Sequence, residues 1–90
     1  MASHRNELTR KEILLQLYGL RPMARSAEQM ERECKRRGDD FTKQEIATEL
    51  QFLHDEGLIF EIPASGSGST SRLYRIHSSG VRHYEQNYAA

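Results

Sequence analysis

Apolar residues recur at helical spacing as far as Gly57 and at strand spacing beyond it, and the polar residues at the block ends punctuate the elements. Phe41, Thr42, Glu45 and Ile46 fall at N′, N-cap, N3 and N4, so a Thr/Glu capping box coincides with a Phe/Ile hydrophobic staple. A helix therefore starts at Lys43. Gly57 suits the left-handed C′ position, with Leu58 folding back on Leu53, which ends that helix near Glu56. Between these ends Ile46, Leu50 and Leu53, with Ala47 beside them, form the stripe expected to be buried.

Two helices precede this one. Thr9 and Glu12 read as a second capping box, and Ile13, Leu14, Leu17 and Leu20 make the apolar face of a helix over about 8–19, extended backwards if Asn6 is the cap. Ser26 and Gln29 read as a third box, opening a helix over about 27–37 that runs through Met30 and Cys34 and stops at Gly38. Its tail carries Lys35, Arg36 and Arg37, which offset the negative end of the helix dipole. After Gly57, "LIFEI" (58–62) and "RLYRI" (72–76) are short strand-like runs joined by "PASGSGSTS", a hairpin with a long tip. The last stretch, about 79–88, reads as a helix with Val81, Tyr84 and Tyr88 on one side. The expectation is one α+β domain over residues 1–90, mainly α, in the order α-α-α-β-β-α.

Composition limits the function classes. Ninety residues support one small core. No run approaches the roughly 18 apolar residues of a membrane span, and the first residues carry no secretory-type apolar stretch, so a cytoplasmic location without membrane contact is expected. The single cysteine, Cys34, has no internal disulfide partner. The net charge is zero but unevenly spread: residues 1–37 hold nine Lys/Arg against five acids, 38–61 one against seven, and 62–90 three against one. Attraction to phosphate must come from the two ends of the chain.

Projected at about 100° per residue, the third helix turns Gln44, Thr48, Gln51 and Asp55 away from its apolar stripe. Gln can pair with adenine N6 and N7, and Thr can meet a thymine methyl or accept from a base edge, so the first two turns are a candidate major-groove reader. Glu45, Glu49 and Glu56 lie on one flank, and Glu45 is turned toward the backbone by its capping box. Phe52 lies about 150° from the stripe, either covered by the hairpin or presented to a protein partner.

The stretches "IATELQFLHDEGLI" (46–59) and "SRLYRIHSSGVRHYE" (71–85) resemble the winged-helix (winged helix-turn-helix) family, in particular the MarR, PadR and ArsR-like regulators, and the layout is similar to the small winged-helix proteins of Mu-like prophages. The resemblance implies a bacterial or phage transcription regulator that binds double-stranded DNA with the helix over 43–56. It further implies phosphate anchoring by Lys43, by Arg25 ahead of the second helix and by Arg72 and Arg75 on the wing, with Arg36 and Arg37 as further candidates. Terminal helices commonly supply dimer contacts in this family, so Val81, Tyr84 and Tyr88 are the expected homodimer surface. The alternative is a protein-interaction module that uses the acidic flank and Phe52. The chain departs from the family pattern at His77, where Thr often opens the last helix and where Ser78 is the replacement cap, and at a wing tip of Ser and Gly instead of Arg.

His4, His54, His77, His83 and Cys34 match no zinc or protease spacing, and the Ser/Gly tip lacks the Gly-Lys-Ser/Thr ending of a phosphate-binding loop. No enzymatic activity, cofactor or metal is expected.

Overall fold

Thr42 caps its helix in the way its spacing dictates. Its hydroxyl accepts from the Glu45 amide at 3.1 Å, and the Glu45 carboxylate accepts from the Thr42 amide at 2.9 Å. Ser26 and Gln29 close the same reciprocal box at 3.2 and 2.8 Å. The helices these boxes open end alike: Gly57 (φ 74°) and Gly38 (φ 86°) take the left-handed conformation. The next amides, of Leu58 and Asp39, then return to the carbonyls of Leu53 and Cys34 at 3.0 and 2.8 Å.

A computed structural model describes residues 2–63 and 72–89. The elements are α1 (Ala2–Leu20), β1 (Arg25–Ser26), α2 (Ala27–Arg36), α3 (Lys43–Asp55), β2 (Ile59–Pro63), β3 (Arg72–Ile76) and α4 (Ser78–Asn87). The domain is a mainly helical α+β fold of four helices and a three-stranded antiparallel sheet in the order β1-β3-β2. This corrects the expected order, because a two-residue strand lies between the first two helices. Arg25 and Ser26 pair with Tyr74 and Leu73, while β2 pairs with β3 from Ile59↔Ile76 to Pro63↔Arg72. The Ser/Gly tip of the hairpin lies outside the described residues.

The first helix begins well before Thr9, which is therefore no cap. Its buried hydroxyl donates to the Arg5 carbonyl one turn back at 2.9 Å, an alternative that Ser and Thr always have inside a helix. Glu12 is buried as well and serves as a tertiary partner. The fourth helix is capped by His77, whose Nδ1 accepts from the Ser79 amide at 3.1 Å, so Ser78 is the first helical residue and not the cap.

One core gathers Ile13, Leu14 and Leu17 of α1, Met30 and Cys34 of α2, Ile46, Leu50 and Leu53 of α3, Ile59, Ile76 and Tyr84. Ala47, expected beside the stripe, is exposed, and Leu8 likewise points outward. The N-terminus of α4 seats on the turn that closes α3: the His77 amide donates to the Leu58 carbonyl at 2.9 Å, and the Ser79 hydroxyl to that of Gly57 at 2.6 Å. No helix among the described residues is long and apolar enough to cross a membrane.

Candidate nucleic-acid interface

Because Ile46, Leu50 and Leu53 anchor α3 to the core, the opposite face is free of packing. Lys43, Gln44, Thr48, Gln51 and Asp55 are all exposed. Two i,i+4 contacts order this face: the Gln44 amide group lies 3.4 Å from the Thr48 hydroxyl, and that of Gln51 donates to Asp55 at 2.9 Å.

Two of the acids beside this face, Glu45 and Glu49, are paired with arginines from within the molecule. Arg5 pairs with the Glu45 carboxylate and also reaches Asp40 at 3.3 Å. Arg10 donates from Nε to Glu49 at 2.9 Å; that carboxylate is only 3 % exposed, so its charge is compensated by α1 and not by solvent. The basic excess of residues 1–37 is thus partly consumed inside the fold. Arg5 and Arg10 are site residues that spacing along the chain does not reveal, since each meets its partner about 40 positions away. The only forewarning is the segregation of charge, basic before residue 38 and acidic after it. Asp55 and Glu56 stay exposed and keep the C-terminal end of α3 acidic.

The Arg5 guanidinium, helped by the Thr42 amide, holds the Glu45 carboxyl well below its ordinary 4.5, at about 2. A carboxyl whose folded-state value is depressed contributes stability above its unfolded value and loses it as pH falls toward the folded one. The α1–α3 contact is therefore expected to weaken between about pH 4.5 and 2. Glu45→Gln, melted by circular dichroism across that window, should show a shallower acid loss than the parent. Equal slopes would assign the acid sensitivity elsewhere. Glu12 shifts the opposite way, raised mainly by burial.

The remaining basic candidates separate into two groups. Arg72 pairs with Glu61 across the hairpin, and Arg75 lies over the Phe60 ring at 4.4 Å, opposite it in register. Arg25, Arg36 and Arg37 instead line one groove between α1 and α2 to which α3 contributes no residue. Arg25 donates to the side-chain amide oxygen of Gln16 at 3.0 Å, Arg36 pairs with Glu33 at 3.3 Å, and Arg37 pairs at 3.0 Å with Glu12, which lies outside the groove's lining.

The expected interface residues fare differently from one another. Tyr84 is 8 % exposed and packs at a tilt against Tyr18, with ring centroids 4.5 Å apart, so it is a core residue, which corrects its assignment to a dimer surface. Val81 and Tyr88 are half-buried and pack against the same core. Phe52 is 39 % exposed and is covered in part by the Arg10 guanidinium, 3.9 Å from its ring centre. With Leu58 and Tyr88 it lines a second groove, of about 440 Å³. Cys34 is buried, its thiol pushed up to about 11 by burial and by Glu12. Among the described residues no three His, Cys, Asp or Glu side chains gather as a metal would require.

No protein-family model, curated protein or solved structure matches the chain.

Proposed function

We propose that this domain is a winged helix-turn-helix that binds double-stranded DNA as a small transcription regulator of the bacterial or phage type. The observation that carries the reading is the condition of α3. Its polar face of Gln44, Thr48 and Gln51 is exposed, while the neighbouring carboxylates of Glu45 and Glu49 are held by Arg5 and Arg10. Such a face can enter a major groove without carrying those two charges toward the phosphates. In support, α2 and α3 are joined by a short turn through Gly38, and β2 and β3 follow as a hairpin suited to be the wing. Lys43, Arg72 and Arg75 are the phosphate anchors. Lys43 is exposed in the first turn of α3, where the helix dipole disfavours a cation, so local stability does not account for it. As a homodimer the protein would read half-sites about one DNA turn apart.

Protein recognition is the second reading, and Phe52 supports it, being half-open in a groove beside Leu58 and Tyr88. Fluorescence anisotropy of a labelled duplex selected from a random pool, measured over a range of salt, discriminates between the two. DNA binding predicts that log K falls by about 0.9 per phosphate contact for each unit of log salt, with a slope about one smaller in Arg72→Ala. Lys43→Glu should weaken duplex binding yet raise helix stability by about 0.3–1 kcal/mol. Absence of binding at low salt, or indifference to both substitutions, would leave only the protein-interaction reading.

A further inference from the structure

The groove between α1 and α2 has a volume of about 310 Å³ and is lined by Arg25, Arg36 and Arg37 with Glu33 as the acid of its lining, while Glu12 reaches Arg37 from the adjoining groove, so three guanidinium groups meet two carboxylates. Two of the three are fixed by side chains one turn apart on α1. Gln16, only 6 % exposed, directs its amide nitrogen toward Glu12, the Met30 carbonyl and the Cys34 sulfur, at 3.3, 3.3 and 3.4 Å. Its oxygen is thereby left for Arg25, at 3.0 Å. Glu12, also buried, holds Arg37 through Nε at 3.0 Å. Each of these arginines gives one nitrogen to α1, and a guanidinium carries five N–H donors in all, so others remain for a ligand. The third, Arg36, is 80 % exposed and held only by an i,i+3 surface pair with Glu33, a contact weak enough to exchange for a ligand.

Guanidinium groups immobilised before binding lose little freedom when they meet an oxyanion, and their planar forks match phosphate or carboxylate in two-pronged fashion. We infer that this groove binds a small oxyanion, a phosphate- or carboxylate-bearing molecule, at a site separate from the α3 face. Dipole compensation at the end of α2 gives Arg36 and Arg37 a purely structural role, but it gives none to Arg25, which lies at the other end of that helix.

The test is an amide NMR titration of the ¹⁵N-labelled protein with inorganic phosphate, run against chloride at equal ionic strength. Saturable shifts are expected over residues 15–20, 25 and 33–37, with a dissociation constant on the order of 1 mM or tighter. They should weaken at least about tenfold in Arg25→Gln and in Arg36→Gln, and the second of these alters an exposed side chain, so its melting temperature should hold. Shifts that chloride reproduces, or that persist in both variants, would overturn the inference. A duplex arm separates free anion from DNA backbone. DNA should move α3 resonances and leave the phosphate titration of the groove unchanged, whereas competition between the two would make the groove part of the DNA path and end the case for a separate site. Phosphate binding without any duplex binding would sustain the groove while removing the regulator reading.

Discussion

Gly80→Ala is expected to destabilise the fold by about 3 kcal/mol or more, although inside a helix this change ordinarily gains up to about 1 kcal/mol. The reversal of sign comes from docking. A Cβ at position 80 would lie 2.1 Å from the Leu58 carbonyl oxygen and 2.8 Å from Cγ1 of Ile76. The oxygen belongs to the backbone turn that closes α3 and already accepts from the His77 amide, so it cannot move aside without opening the seat of α4. At about 4–8 °C per kcal/mol for a domain of this size, the loss corresponds to a fall in Tm of at least about 12 °C. A melting temperature equal to or above the parent's would mean that α4 does not rest on the Gly57–Leu58 turn.

Arg10→Ala should cost about 3–5 kcal/mol, because it leaves the Glu49 carboxylate buried without its cation. Arg10 donates to Glu49 at 2.9 Å, pairs with Glu7 at 3.3 Å and covers the Phe52 ring, while Glu7 accepts from the Tyr88 hydroxyl at 3.2 Å. One guanidinium therefore ties α1 to α3 and, through Glu7, to α4. The double change Arg10→Met with Glu49→Leu separates charge from packing: replacing a buried pair by apolar residues of similar volume is often neutral or stabilising, so the double variant should melt near the parent while the single one does not. If Arg10→Ala alone melts within about 0.5 kcal/mol of the parent, as exposed positions do, the neutralisation of the α3 flank does not depend on α1. Under the proposed DNA-binding reading the single variant also binds a duplex less well, since it leaves an uncompensated acid beside the exposed face of α3.

The local features were legible from spacing alone. The boxes at Ser26 and Thr42 and the endings at Gly38 and Gly57 involve residues three to six apart, and local chemistry decides them. Thr9 misled because a threonine three residues ahead of a glutamate has the same pattern whether it caps a helix or bonds back to the previous turn; what the upstream residues do decides between them. The strand at Arg25–Ser26 is two residues long and carries no periodicity, and it exists only because β3 offers it an edge. Tyr84 shared a face with Val81 and Tyr88 in either reading. Only the position of Tyr18, 66 residues earlier, shows that this face turns inward.

For the candidate site, the exposed face of α3 followed directly from the position of its apolar stripe. The neutralisation of its flank did not, because Arg5–Glu45 and Arg10–Glu49 depend on how α1 crosses α3. The clustering of Arg25, Arg36 and Arg37 was equally hidden. It joins the two ends of α2 to one face of α1 through Gln16 and Glu12, whose types gave no sign that they would be buried.

Thr48→Glu tests the central claim most directly. The residue stands exposed between Gln44 and Gln51, so a carboxylate there should change stability by no more than about 0.5 kcal/mol. Against a phosphate-lined groove the same carboxylate costs several kcal/mol, so duplex affinity measured by anisotropy at low salt should fall by at least about 100-fold at an unchanged melting temperature. A folded Thr48→Glu protein that binds the duplex as tightly as the parent would contradict the assignment of α3 as the reading head.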